Sequence, residues 1–202
     1  QAAQQLHMAA LPSEPLLLPH RFSRTVDGKT QEYTLRELEE GDFLRGYKQL
    51  LAQLSDPQDL DEEGFAAALE KMRPYIRVLV VQHHGLSPAS EEGEDGASQG
   101  AGDSQGAELI QDRIVASASL VTEQKFLRNC KCVGHIEDVV THRQFQRQGL
   151  AKLILTQLIN EAREHQKCYK LILDCTEANS VVYEKCGFFT TGEVQMRINV
   201  AA

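Results

Sequence analysis

No stretch of this 202-residue chain approaches the roughly 18 consecutive apolar residues that a membrane span needs, so none is expected. Basic residues are short: 21 Lys and Arg stand against 29 Asp and Glu, for a formal net charge of −8. That deficit is local. Between Gly85 and Glu108 lie six acids (Glu91, Glu92, Glu94, Asp95, Asp103 and Glu108) with neither Lys nor Arg. Setting those six aside leaves −2 for the remainder, too near neutrality for general electrostatic binding to nucleic acid. Cysteine is sparse and odd in number: Cys130, Cys132, Cys168, Cys175 and Cys186. Several sit in apolar runs, which reads as reduced thiols in a cytoplasmic protein. Cys130-Lys-Cys132 has the wrong spacing for a zinc knuckle and lacks a second pair, so no metal is expected. Nor does Gln1 to His20 carry a basic stretch ahead of a long apolar run, so no secretory leader is expected there.

What is present is enough apolar content, 42%, to bury one core. Residues 1–30, with Pro12, Pro15, Pro19 and the turn pair Asp27-Gly28, read as a largely irregular tail that docks through Leu16, Leu17 and Leu18. A single domain follows over 31–202. Tyr33 to Leu38 alternates as a strand, and Asp42 is placed to cap a helix carrying Phe43, Leu44, Tyr47, Leu50, Leu51 and Leu54 on one face. A second helix is expected from Asp61 to Arg73, then a strand from Tyr75 to Gln82. The segment 85–108, rich in Gly, Ser and acids, reads as a disordered insertion. Strands are expected from Ile110 to Leu120, near Val121 to Arg128, and from Cys132 to Thr141. The clearest helix begins after Gly149, with Leu150, Leu153, Ile154, Leu158 and Ala162 at helical spacing. A buried strand over Tyr169 to Cys175, a short helix capped by Asn179 and stopped by Gly187, and one or two strands after Phe188 complete a mixed α/β domain.

The run Gln146-Arg147-Gln148-Gly149-Leu150-Ala151 lies between a strand and that long helix. Such a turn leaves backbone N–H groups free at the positive end of a helix dipole, which makes an anion cradle. Gly149 permits close approach of a ligand, and small Ala151 does not shield it. The run lacks the Gly-Lys-Ser/Thr of a P-loop and the three glycines of a dinucleotide fingerprint, which disfavours ATP and NAD. In this element order, Gln/Arg-x-x-Gly-x-Gly/Ala resembles the acetyl-CoA site of the GNAT superfamily of N-acetyltransferases. Two further stretches, Gly134-His-Ile-Glu-Asp-Val139 and Leu173-Asp-Cys-Thr-Glu-Ala-Asn-Ser-Val-Val-Tyr-Glu-Lys-Cys-Gly-Phe188, resemble its amino-sugar branch, the glucosamine 6-phosphate N-acetyltransferases. The resemblance runs from about Tyr33 to Met196, apart from the acidic insertion.

It implies the GNAT acyl-CoA N-acyltransferase fold, a central, mostly antiparallel mixed sheet flanked by helices. It also implies direct acetyl transfer from acetyl-CoA to the amine of glucosamine 6-phosphate. Acetyl-CoA would be held by the edge of Val139, Val140 and Thr141, by Gln146, Arg147, Gln148, Gly149, Leu150, Ala151 and Lys152, and by Asn179, Tyr183, Glu184 and Lys185. By the same carry-over the Tyr183 hydroxyl meets the departing thiolate; a Tyr beside Val182 also fits a core position, and its place in the motif decides for the functional role. Glu137, Asp138 and Asp174, at strand ends, would orient the sugar amine or relay its proton. For Glu137 and Asp138 sugar binding is favoured over direct base catalysis. Lys125, Arg128, Tyr169, Lys170 and Ser55 would hold the sugar phosphate, with Arg197 or Asn199 at the last phosphate position. Tyr169 and Lys170 are expected to act across a homodimer. Cys175 and Cys186 read as packing residues, since direct transfer needs no acyl-enzyme. Two rivals stay open: a GNAT enzyme for a polyamine or protein amine, and an acyl-CoA-binding module without catalysis. The cationic residues weigh against the first, and intact Tyr183, Asp174 and Glu137-Asp138 against the second.

Overall fold

The computed structural model describes residues 14–86, 112–198 and 200. Six strands hydrogen-bond in chain order: β1 (His20–Val26), β2 (Lys29–Glu37), β3 (Ile76–Leu86), β4 (Arg113–Gln124), β5 (Cys132–Thr141) and β6 (Cys168–Ile172). Every neighbouring pair is antiparallel except β5 and β6, which run parallel. Helix α1 (Glu62–Met72) precedes β3, α2 (Leu150–Glu164) links β5 to β6, and α3 (Glu177–Glu184) follows β6. The segment 87–111, which holds nearly all of the acidic insertion, residues 1–13 of the tail, and Asn199 lie outside the described residues.

β4 is buried without a break from Ile114 to Leu120 because both faces of the sheet are covered. On one face α2 lays Leu150, Ile154, Leu155, Leu158 and Ala162 against Tyr33, Leu35, Leu79, Val115 and Leu120. On the other, Tyr47, Leu50, Phe65 and Leu69 pack against Leu38, Val78, Val80, Ile114 and Val140. The polar side chains of α2 have a use: Gln157 exchanges hydrogen bonds with the backbone of Leu16 (2.7 and 3.2 Å), and Asn160 donates to the Glu14 carbonyl. Leu16 and Leu18 thereby pack on the core, while Leu17 stays exposed.

Six expectations are corrected. The stretch ending at residue 30 is not all irregular, because His20–Val26 forms β1. Asp27 and Gly28, at φ +49° and +76°, make a two-residue turn that returns the chain as β2, with Val26 opposite Lys29. Asp42 does not open one regular helix. A 3-10 turn (Glu40–Asp42) runs into a π-type turn (Phe43–Tyr47) broken by Gly46 at φ +85°, and only Lys48–Leu51 is α-helical. Leu44 and Leu54 consequently face solvent. β4 continues unbroken to Gln124, so no separate strand spans Val121 to Arg128; Arg128, Asn129 and Cys130 instead form a left-handed turn. β6 ends at Ile172 on the sheet's edge, partly exposed rather than buried, and Cys175 beyond it is exposed as well; Cys186 is buried. Thr176, not Asn179, stands at the N-cap of α3, with Asn179 N–H donating to its carbonyl at 2.9 Å. Beyond Phe188 the residues through 198 form no strand.

Candidate active site

β5 is paired along its whole length on one side only. Its ladder with β6 runs from Cys132, opposite Cys168, to His135, opposite Ile172, and stops there. From Ile136 to Thr141 the second edge of β5 has no strand partner among the described residues. β6 leaves the sheet at that point, and Leu173 to Thr176 lead into α3. The outcome is a gap beside β5 beyond the end of β6, with backbone groups along one wall available to a ligand.

On its other side β5 carries a bulge. Ser117 pairs with Val140 and Ser119 with Glu137, so Ala118 alone faces both Asp138 and Val139. Asp138 takes a left-handed conformation (φ +52°) to accommodate the extra residue. Glu137 and Asp138 therefore stand at a bulge inside β5 rather than at a strand end as expected, two consecutive exposed side chains where strict alternation would bury one. Beneath them buried Tyr47 lies 3.3 Å, hydroxyl to hydroxyl, from Ser117. Burial first, then the charges of Asp138 and Asp42, hold the Tyr47 phenol above its ordinary range.

Asp174, just past β6, belongs to the same carboxylate patch. The Glu137 carboxyl is raised by partial burial and by the negative charges of Asp138 and Asp174, with His135 opposing. Asp174 accepts a hydrogen bond from Gln195 Nε2 at 2.6 Å. Across the opening Tyr183, on α3, is half-buried against Phe188, their ring centres 6.2 Å apart and edge to face. Its phenol is also raised, by burial first and then by the neighbouring Cys175 and Cys186 thiols. It therefore stays protonated, and a protonated phenol is a donor.

At the far end of β5 the chain turns through His142 and a 3-10 turn (Arg143–Phe145). Phe145 is buried against Tyr33 and His83 and anchors the turn. Arg147 (φ +63°) and Gly149 (φ +78°) then bend the backbone into the N-terminus of α2. The first bond of that helix runs from Leu153 N–H to the Gly149 carbonyl, so the N–H groups of the first turn have no intrahelical acceptor. A Cβ at Gly149 would meet nothing within 4 Å, so the approach to those groups is open. Tyr33 supports the turn from β2: its hydroxyl lies 2.8 Å from Oε1 of both Gln148 and Gln31. One proton serves one oxygen; a flipped amide satisfies the other. Burial raises the Cys186 thiol, with the charge of Lys152, in the first turn of α2, opposing. Asn179, Glu184 and Lys185 are exposed along α3 and its end.

The cationic candidates lie elsewhere. Lys125 pairs with Glu123, which also contacts His135 at 3.2 Å, and the Arg128 guanidinium lies 5.8 Å over the Tyr169 ring. Lys170 pairs with Val133 in the ladder. All four residues lie toward the N-terminal end of β5, where it is paired with β6; Val133, opposite Lys170, is four residues or roughly 13 Å along the strand from Glu137. Ser55 is exposed two residues after Gln53, whose side chain accepts from Arg143 N–H at 2.9 Å. Arg197 is exposed in the non-strand segment after Phe188. Among the described residues no cluster of His, Cys, Asp and Glu could hold a metal ion, and no helix is long and apolar enough to cross a membrane. Two supports escaped the sequence reading, Tyr47 under the bulge and Tyr33 under the turn. Each sits in an apolar pattern that marks it only as core.

Comparison with known proteins gives a consistent answer. Residues 83–188 match the model of the acetyltransferase (GNAT) family. The chain is 32% identical over 175 residues to glucosamine 6-phosphate N-acetyltransferase 1 of Oryza sativa subsp. japonica, covering 87% of this chain and 92% of that one. It is similar to the crystal structure of glucosamine-6-phosphate N-acetyltransferase from Arabidopsis thaliana, with a TM-score of 0.66 and 30% identity over 84% of this chain and 99% of that one. A predicted acetyltransferase of Clostridium acetobutylicum, solved with acetyl-CoA, shares the fold at a TM-score of 0.53 and 19% identity, over 83% of this chain and 96% of that one.

Proposed function

The chain belongs to the GNAT acetyltransferases and, within them, to the glucosamine 6-phosphate N-acetyltransferases; we propose that it moves acetyl from acetyl-CoA to the sugar amine. The observation that carries this reading is the line formed by the free edge of β5, the bulge at Glu137-Asp138 and the open turn at Gly149. The pyrophosphate takes the N–H groups from Gln148 to Lys152, with Gln146 and Arg147 beside them. The pantetheine arm lies along Val139 to Thr141 as an added strand and reaches Tyr183, with Asn179, Glu184 and Lys185 alongside.

At the thioester the neutral amine attacks the carbonyl carbon. A C–N bond forms, the C–S bond breaks, and the sulfur leaves as thiolate. Tyr183 donates its hydroxyl hydrogen toward that sulfur, and burial keeps the hydrogen available. The ammonium formed by attack loses a proton toward the patch of Glu137, Asp138 and Asp174. The same carboxylates orient the amine and hydroxyls of the sugar, and holding both substrates in one cleft supplies much of the rate. The named relatives do not favour a polyamine or protein acceptor.

The phosphate site is completed by a second copy. Val194, Met196, Ile198 and Val200, all 83–90% exposed, alternate with polar positions as a strand with one apolar face does, and nothing described covers them. β6 likewise has no partner on its outer edge among the described residues. A homodimer that covers this stripe lets Tyr169 and Lys170 of one copy serve the sugar phosphate bound by the other, joining Lys125, Arg128, Ser55 and Arg197. The five free thiols suit a reducing cytoplasm. The product, N-acetylglucosamine 6-phosphate, feeds UDP-N-acetylglucosamine synthesis.

The deciding assay follows free CoA thiol from acetyl-CoA with glucosamine 6-phosphate or unphosphorylated glucosamine as acceptor. Release is expected only with the phosphorylated sugar. Equal rates with both would discard the cationic residues as a phosphate site, and no release with either would discard the acceptor. For the dimer, mixing inactive Lys170→Ala and Tyr183→Phe copies is expected to restore about a quarter of wild-type activity, since half of randomly formed dimers hold one intact site. No recovery with mixed dimers present would place Lys170 in the site of its own chain.

A further inference from the structure

The hairpin of β1 and β2 reaches the cradle from a side that the roles above leave unused. Its tip, Arg24 to Asp27, and the turn at Gln144 and Gln146 to Gln148 enclose an open hollow of about 740 Å³. That is within the roughly 300–1,000 Å³ of ligand clefts. Two guanidiniums, Arg24 and Arg147, and one carboxylate, Asp27, line it, so positive charge prevails. Arg24 is held in place. Its Cζ lies 5.1 Å over the ring of Phe22, which stacks on Tyr33 at 5.3 Å, and the Tyr33 hydroxyl reaches Gln148. The guanidinium thus sits over aromatic rings that are tied to the cradle. One Nη1 donates to the Ser23 carbonyl at 3.2 Å, and its other N–H groups meet no acceptor among the described residues.

Beyond its pyrophosphate, CoA carries an adenosine with a phosphate ester on the 3′ oxygen. On the reading of the Gly149 turn as the pyrophosphate site, the adjoining hollow is where that adenosine goes. We propose that Arg24 binds the 3′-phosphate of acetyl-CoA, so that the β1–β2 hairpin forms one wall of the co-substrate site. A guanidinium presents parallel N–H groups to a phosphate, and Arg147 on the facing wall adds a second charge against the opposing Asp27.

The test compares acetyl-CoA with 3′-dephospho-acetyl-CoA as donors for the wild type, Arg24→Ala and Arg24→Lys. The wild type is expected to favour acetyl-CoA in kcat/KM by about tenfold, the scale of one charge-assisted contact near the surface. Arg24→Ala is expected to lose about that factor with acetyl-CoA and less than twofold with the analogue, erasing the preference, and Arg24→Lys to keep part of it. Equal losses on both donors, or a wild type that treats them alike, would overturn the proposal. Arg24 is exposed, so folding is expected to survive; should Arg24→Ala fail to fold, the Lys variant and Arg24→Gln decide by the same ratio. The pyrophosphate reading fails differently: a Gly149→Val variant would then keep wild-type KM for both donors.

Discussion

Replacing Tyr183 by Phe is expected to lower kcat about a hundredfold or more while changing the KM for acetyl-CoA little. The reasoning is one of differential binding. The thioester sulfur of bound acetyl-CoA is a weak acceptor, whereas the departing thiolate is a full anion in a half-buried place. A hydroxyl beside it is worth most when the charge develops, so its loss falls on turnover rather than on binding. Tyr183 contributes its ring to the contact with Phe188 and to the core, and Phe keeps that ring, so thermal stability is expected to stay near wild type. The raised phenol also sets the pH dependence. A group held above its ordinary value of 10 remains a donor throughout the neutral range, so no alkaline loss of rate below about pH 10 is expected from this residue. Steady-state kinetics across pH 6 to 10 checks both points. Unchanged turnover in the Phe variant would assign Tyr183 to packing alone.

The second large effect is on stability, at Asp42. This carboxylate is fully buried, accepts two 2.7 Å bonds from Arg36 and one of 3.0 Å from Arg45, and also takes the Glu39 N–H at 2.9 Å. Gln82 holds Arg36 from behind at 2.8 and 3.0 Å. Removing Asp42 leaves the Arg36 guanidinium, 11% exposed, without its counter-charge, which typically costs about 3–5 kcal/mol. Asp42→Ala is therefore expected to lower the urea midpoint strongly, and Asp42→Asn, which keeps the shape but loses the charge, somewhat less. The pH dependence has a definite direction. Burial alone would raise the carboxyl, but the bonds from Arg36, Glu39 and Arg45 together with the Arg36 charge bring it below its ordinary value. A depressed folded-state value means the stabilisation is complete above the unfolded value, near 4. It is lost as pH falls through the folded one. Wild type should therefore lose stability relative to Asp42→Asn only under acid conditions below about pH 4. A constant difference down to pH 2 would mean the ion pair adds nothing.

Where the pattern was strong, sequence and structure coincide. β5 has the bounds that alternation implied, and α2 begins at the residue after Gly149. α1 starts from Asp61, whose carboxylate accepts the Gly64 N–H at 2.8 Å. The misreadings share a cause, which is long-range contact overriding local pattern. Asp27-Gly28 is a strong hairpin signal, yet His20–Val26 is too polar to read as a strand. It holds its place through the ladder to β2 and the stack of His20, Phe22 and Tyr33. Phe43 to Leu54 has helical periodicity, but Gly46 takes a left-handed conformation and Asp42 turns inward to Arg36. At the candidate site, residue types were legible and geometry was not. The pair Glu137-Asp138 stands out in the sequence, but the bulge that exposes both is set by how β5 meets Ala118. Tyr33 and Tyr47 were visible only as apolar positions, because a hydroxyl's partner cannot be read from spacing.

The unpaired edge of β5 bears on which substitutions the protein tolerates. Peptide N–H and C=O groups are the same in every residue but proline. An arm of the co-substrate that bonds to those groups from Val139 to Thr141 reads no side chain there. Val139 and Val140 are then free to be chosen for packing, and neighbouring aliphatic residues should exchange at those positions with little effect on the donor. Proline alone removes the recognised atom, so this stretch, beyond the carboxylates of Glu137 and Asp138, is guarded by one forbidden residue rather than by any required one.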